Sequence, residues 1–299
     1  MTDDEFAAYH SLSEETEDHR WAFGTGFTDP LEGIDASVPD SVDAAALAAY
    51  CLMLGDDALV YSHRLQQWMT RMPELEEETA LANIALDLLG QARMLLARAG
   101  LAEGALADGT GRQEDQLAFF RDEHEFRNVR LVEAPDADFA ELAGRLLIFS
   151  AWRLALFGRL AGSADPVLAA IAAKGVKELT YHRDYAARWV IRLGDGTPLS
   201  HCRMQAALGT VWPLVDELFQ ADPVTAALPG VAADPAGLRG EVDAVFDTVL
   251  AAATLDRPGA APMARVAGKS GRDGVHTEAF GYLLAELQSV ARAHPGATW

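Results

Sequence analysis

The histidines of this chain are the residues from which a helical metal centre would have to be built. Di-iron bundles use two Glu and two Glu-x-x-His pairs, because residues at i and i+3 share one face of a helix. None of the eight histidines follows an acidic residue by three positions in an apolar helical context; His182 has Leu179 at i−3 and Glu178 at i−4. A carboxylate-rich dinuclear centre therefore cannot be assembled from these residues.

Other catalytic motifs also fail on their spacing. The GKS at 268–270 resembles a phosphate loop, but the first glycine of that motif would fall on Met263. His276 and Glu278 give H-x-E, yet no PCxxC follows and both cysteines lie upstream, so a helix cap or an interface polar pair is expected. Neither GxSxG nor HExxH occurs.

Composition excludes further classes of protein. Asp and Glu total 45 against 24 Lys and Arg, and the net charge of −21 would repel nucleic acid and anionic lipid. Arg145, Arg153 and Arg159 interrupt the longest apolar runs before they could span a bilayer. The N-terminus does not read as a signal peptide, and two cysteines, Cys51 and Cys202, fit a reducing compartment. A cytoplasmic protein without a membrane span is expected.

Helical periodicity dominates the chain from residue 43, and strand-like alternation is almost absent. We expect an all-α bundle of long, mostly antiparallel helices, with Asp40 or Ser41 capping the first helix. That helix should reach Trp68 or just beyond, and a second should run from Pro73 to about Ala99. Further helices are predicted at 113–127, 138–162, 165–193 and 200–220, followed by a Pro/Gly-interrupted extension from about 223 with helices at 235–253 and 277–293.

Residues 1–42 form a separate segment by composition. Residues 1–43 hold twelve acidic side chains and one arginine, Arg20, without helical or strand periodicity. This pattern predicts an acidic arm, either loose or laid over a neighbour, that is dispensable for folding of the helical domain at 43–299.

Four ordered blocks resemble the structural C subunits of phenylacetyl-CoA epoxidase complexes: PELEEETALANIALDLLGQARMLLARAG, DQLAFFRDEHEF, KELTYHRDYAARWVIRLGDGT and GRDGVHTEAFGYLLAELQ. The resemblance covers residues 45–299 and implies a ferritin-like subunit that pairs with a homologous catalytic A subunit. It also implies a B subunit and a reductase with FAD, an iron–sulfur cluster and NADPH. Such complexes epoxidise the ring of phenylacetyl-CoA during aerobic phenylacetate breakdown.

The resemblance also indicates where the catalytic sister subunit holds its two irons, and this chain departs from that pattern almost throughout. The corresponding positions are Ala58, Leu88, Gln91, Ser150, Leu179 and His182. Only His182 keeps the ligand type, so no metal is expected in this chain. We expect His182 to be buried and bonded to Ser150, Tyr181 or a backbone carbonyl.

Two alternatives remain open from the sequence. The chain could be an active di-metal oxygenase whose ligands lie elsewhere, or a homodimeric acyl-CoA-binding module. Asp87 and Arg93 are expected on the outer face of the second helix, with Arg64 and Arg71 beside them on the first. They are interpreted as surface pairs, or else as groups that dock a partner or reach coenzyme A phosphates. The tryptophans Trp68, Trp152, Trp189, Trp212 and Trp299 are candidate interface anchors or core residues.

Overall fold

The computed structural model describes residues 31–72, 74–106, 109, 111–259 and 268–297. The chain divides into two compact units, 1–32 and 33–299. The described residues are helical and contain no β-strand, so the predicted all-α class is confirmed. The α-helices are α1 (Ala44–Met69), α2 (Leu75–Leu106), α3 (Glu114–Phe119), α4 (Phe139–Leu160), α5 (Pro166–Gly194), α6 (Pro198–Val211), α7 (Pro223–Ala226), α8 (Arg239–Ala252) and α9 (Glu278–Ala293).

Four long antiparallel helices form the bundle. Ser62 of α1 donates to the carbonyl of Ala85 in α2, while Gly55 lies against Leu95 and Leu96, so these two helices run in opposite directions. In the same way, Gly175 of α5 lies against Phe157 of α4, whereas Phe139 at the start of α4 packs on Trp189 near the end of α5. A Cβ at Gly175 would lie 2.6 Å from the Phe157 ring, so this close approach of two helices requires glycine.

Contacts between α2 and α5, and between α1 and α4, are antiparallel as well. Glu77 bonds Trp189 while Gln91 bonds Glu178, and Tyr61 stacks on Phe149. Because α1 is antiparallel to both α2 and α4, α2 and α4 are parallel to each other. The segment between Leu106 and Phe139, which we call the crossover, must therefore run back along the bundle. One long crossover between parallel helices is the connectivity of ferritin-like bundles.

Two adjacent acids in α1 hold this crossover in place. Asp56 and Asp57 are fully buried in the middle of an apolar helix. Asp56 pairs with Arg121 through both carboxylate oxygens and accepts from the Arg127 amide at 2.9 Å. Asp57 accepts from the Val129 amide at 2.9 Å. The crossover, whose described residues contain only the short α-helix α3, is therefore fastened to α1 by charge-assisted hydrogen bonds.

Several helix boundaries differ from the sequence-based prediction. The N-cap of α1 is Asp43, not Asp40 or Ser41, and its carboxylate accepts from the amides of Ala45 and Ala46. The second helix continues seven residues past Ala99 to Leu106, and Pro73 lies outside the described residues. The helix predicted at 113–127 is wrong beyond Phe119: Glu123–Glu125 form a 3₁₀ turn, and the amide of Arg127 bonds the buried Asp56 of α1 instead of a helical carbonyl.

Two helices are long and apolar enough by length and composition to cross a membrane, α1 and α2. In α1, 72% of the apolar window is buried inside the fold, as expected for the core helix of a bundle. In α2 only 44% is buried. The apolar character of α2 is thus not explained by packing within this chain.

Residues 36 and 37 bind the helical domain, although they fall within the predicted arm; residues 1–30 lie outside the described residues. Arg98 of α2 is 1% exposed and pairs with Asp165, the N-cap of α5. Its guanidinium also donates to the carbonyls of Ala36 and Ser37. These two carbonyls thus accept hydrogen bonds from a buried guanidinium.

We therefore expect two N-terminal truncations to behave differently. Removal of residues 1–32 should leave the urea midpoint unchanged, since their acidic sequence without helical or strand periodicity predicts no part in folding of the helical domain. Removal of residues 1–38 should lower the free energy of unfolding by about 1–3 kcal/mol, because the buried guanidinium of Arg98 loses two acceptors. Urea denaturation followed by circular dichroism measures both. Equal midpoints for the two truncations would contradict this role of residues 36 and 37.

Candidate functional site

The six positions that the resemblance predicts to correspond to metal ligands all lie in the interior of the four-helix bundle. Each is at most 1% exposed. They come from all four long helices: Ala58 in α1, Leu88 and Gln91 in α2, Ser150 in α4, and Leu179 and His182 in α5. The burial of a glutamine, a serine and a histidine there requires hydrogen-bond partners for each of them.

Gln91 links two charged residues across the bundle. Its Oε1 accepts from Arg153 Nε of α4 at 2.9 Å, and its Nε2 donates to Glu178 Oε2 of α5 at 2.9 Å. Glu178 is also paired with Lys174 on the solvent side. The amide thus joins a buried guanidinium to a carboxylate that reaches the surface.

Arg153 brings a positive charge into the centre of the bundle. It is fully buried, its Nη2 donates to the carbonyl of Leu54 in α1 at 3.2 Å, and its guanidinium carbon lies 4.5 Å from the centroid of the Phe157 ring. Burial lowers the pKa of Arg153 to about 10, so the group stays charged at neutral pH. The Arg153 guanidinium of α4 therefore contacts α1 at Leu54 and α2 at Gln91, and Gln91 links it to Glu178 of α5.

His182 has a different partner from the ones expected. Its Nε2 lies 2.9 Å from Asp87 Oδ2 of α2, and within the described part of the chain no bond joins it to Ser150, Tyr181 or a backbone carbonyl. Ser150 donates to the carbonyl of Leu146 in its own helix, and Tyr181 points outward with 49% exposure. The expected partner was wrong because the i−4 carbonyl satisfies a serine hydroxyl locally, while α2 presents a carboxylate to α5.

The charged residues interpreted as surface pairs separate into two groups. Arg93 is exposed and pairs with Glu114, and Arg71 lies over the Trp68 ring, as expected for surface groups. Arg64 is buried instead, and donates to the carbonyls of Glu133 and Ala279. Arg64 therefore fastens the crossover and α9 to α1.

Two of the predicted interface anchors and the histidine of the H-x-E motif lie in the interior. Trp152 and Trp212 are buried in the core, 2% and 6% exposed, whereas Trp68 and Trp189 are half-buried and Trp299 lies outside the described residues. The His276 side chain is buried between Glu133 and the carbonyl of Phe126, with its Nδ1 2.7 Å from Glu133 Oε1. His276 therefore forms neither the predicted helix cap nor an interface pair, but a polar pair with Glu133 of the crossover within the chain.

Sequence reasoning missed the residues that organise this interior, namely Arg153, Asp56 and Asp57. The signal was available in each case. Arg153 lies four residues from both Phe149 and Phe157, on one face of an apolar helix, and the two acids stand in the middle of another. A charge at such a position must be buried and paired.

Among the described residues no group of three or more His, Cys, Asp or Glu could hold a metal ion. The fold and this interior define a ferritin-like bundle. In its centre, Gln91, one of the six predicted metal-ligand positions, bonds Arg153 and Glu178. The chain belongs to the phenylacetic acid catabolic protein family, whose sequence model matches residues 34–299.

One relative extends the comparison to a particular component of an enzyme complex. The chain is 46% identical over 255 residues to the C subunit of the 1,2-phenylacetyl-CoA epoxidase of Escherichia coli (strain K12). This covers 85% of the present chain and 99% of the relative. The resemblance to C subunits seen in the sequence is therefore confirmed, and with it the connection to phenylacetate catabolism.

Proposed function

We propose that this chain is the non-catalytic structural subunit of a cytoplasmic phenylacetyl-CoA epoxidase complex. In this role it holds a homologous di-iron catalytic A subunit, with a B subunit and an NADPH-dependent reductase carrying FAD and an iron–sulfur cluster. The observation that carries the proposal is the Arg153–Gln91–Glu178 network, which lies among the positions of the metal ligands.

The side chains at these positions do not fit a dinuclear iron centre. Ala58, Leu88 and Leu179 have no coordinating atom. Gln91 is a poor neutral ligand, and both ends of its amide are already bonded. The guanidinium of Arg153 would in addition repel a cation at short range in a medium of low dielectric.

The exposed face of α2 supports a role in assembly. Leu75, Leu86 and Leu101 are 72%, 60% and 53% exposed, and with Ala82 and Ala97 they follow one side of the helix. We name these five residues the outer stripe. Covering of the outer stripe by another helical bundle would account for the apolar composition of α2. We assign the stripe as the docking surface for the catalytic subunit. When the chain is alone, two copies should associate through the same face.

Reconstitution tests this role directly. The chain is co-expressed with its candidate catalytic subunit and sized, and aryl-CoA epoxidation is measured with reductase and NADPH. We expect a hetero-complex with an interface above about 1,000 Å², and turnover that requires this chain. Full activity of the catalytic subunit without this chain would refute the proposal. A stable homodimer that binds acyl-CoA stoichiometrically and does not bind the catalytic subunit would favour an acyl-CoA-binding module.

Metal content provides a separate prediction. After anaerobic reconstitution with iron(II) or manganese(II), the isolated chain should hold well below one metal per chain, because three of the six positions offer no donor atom. The substitution His182→Ala should lower thermal stability, since Asp87 loses its partner, and leave metal content unchanged. About two irons per chain would instead favour the di-metal oxygenase alternative.

A further inference from the structure

A cavity of about 390 Å³ lies between the bundle and the C-terminal extension. None of the six ligand positions lines it. Two helices of the bundle form one wall, with Tyr50 and Met53 from α1 and Trp152 and Leu156 from α4. The other walls come from Arg127 of the crossover, from residues 217–222, which include Leu218, and from the C-terminal extension. Its volume falls in the range of about 300–1,000 Å³ found for small-molecule sites.

The Tyr50 hydroxyl of this wall is a buried donor without an acceptor among the residues that the structure describes. Tyr50 is 3% exposed; its hydroxyl accepts from the Ala233 amide at 3.4 Å and donates to no described residue. Burial raises the pKa of Tyr50, so the hydroxyl keeps its proton. Buried donors are ordinarily satisfied, so this hydroxyl indicates a place for an acceptor in the cavity. The indole Nε1 of Trp152 also lacks a described partner, but it has less than 1 Å² of accessible surface and does not open onto the cavity.

The charged groups of the wall disfavour an anion. Three carboxylates and two guanidinium groups line the cavity. Most of their hydrogen-bonding capacity is already used. Among the carboxylates, Glu217 accepts from Arg130 and Gly271, Asp222 from Thr225, and Asp273 from Ser270. Of the two guanidinium groups, that of Arg272 donates to Asp57 and that of Arg127 to the carbonyls of His124 and Phe126. The excess of carboxylates makes the binding of a further negative charge unfavourable.

We propose that this cavity binds a small neutral molecule that has an apolar body and a carbonyl-type acceptor, with the hydroxyl of Tyr50 as the donor. A carbonyl oxygen accepts such a hydrogen bond through one of its two lone pairs. Met53, Leu156 and Leu218 contact the apolar body. The site does not depend on the proposed role in the epoxidase complex.

Calorimetric titration of the full-length chain with benzamide and benzoate tests this site. The two probes share the ring and differ in charge. Benzamide should bind at one site with a Kd of about 1 mM, as expected for so small a ligand, and benzoate should bind at least about tenfold more weakly. Absence of saturable benzamide binding at about tenfold this concentration would overturn the proposal, and equal or tighter binding of benzoate would overturn the neutral ligand class.

A nearly isosteric substitution locates the binding. Tyr50→Phe removes the donor and should raise the benzamide Kd by about 3- to 10-fold. Tyr282→Phe changes a tyrosine that is 69% exposed on α9 and should leave the Kd unchanged. If Tyr50→Phe folds with native circular dichroism and binds benzamide as the parent does, the cavity is not the site.

Discussion

Replacement of Arg153 by alanine is expected to lower the free energy of unfolding by about 3–5 kcal/mol. The substitution removes the group that bonds Gln91 and the carbonyl of Leu54, and it opens a hole beside the Phe157 ring. It leaves Gln91 Oε1 buried without a donor, which costs free energy beyond the lost contacts. Urea denaturation of the isolated chain measures the change.

A double variant separates the charge network from simple packing. Arg153→Leu combined with Gln91→Leu removes both partners and fills the space with apolar atoms, while Glu178 keeps Lys174. Such replacement of a complete buried polar pair is often nearly neutral, so we expect the double variant to recover stability to within about 1.5 kcal/mol of the parent. A cost below about 1 kcal/mol for Arg153→Ala would show that the network does not hold the bundle together.

The substitution Leu86→Glu is expected to weaken the complex with the catalytic subunit by about 100-fold, or about 3 kcal/mol. Leu86 lies in the middle of the outer stripe and is 60% exposed, so the isolated chain should fold normally with glutamate there. In the complex the same carboxylate would be buried against an apolar surface without a partner. Binding is measured by sizing and by titration of the purified subunits.

Leu199→Glu is the matched control for this experiment. Leu199 is 63% exposed, but it lies in the first turn of α6 rather than on α2. The control should leave the affinity within about twofold of the parent, because a substitution at an exposed position outside the interface has little effect. Equal binding by both glutamate variants and the parent would exclude the outer stripe as the docking face.

The helical architecture was predictable because it depends on local properties of the sequence. Apolar residues at helical spacing predicted α1, α4 and α5 closely. The crossover was not predictable in the same way. Its segment DQLAFFRDEHEF has good helix formers, yet the helix there ends at Phe119. Asp56 and Asp57 instead bind the Arg121 side chain and the amides of Arg127 and Val129, from a distance of 65 to 72 residues along the chain.

The site shows the same division between local and long-range information. Residue types alone determined that Ala58, Leu88 and Leu179 offer no ligand to a metal. Sequence could not show that Gln91 meets Arg153, or that His182 meets Asp87, because each pair joins two helices whose rotation and register are set by packing. A charged side chain also looks the same in sequence whether it lies in water or in the core, and only the tertiary structure decided that Arg153 is buried in the centre of the bundle.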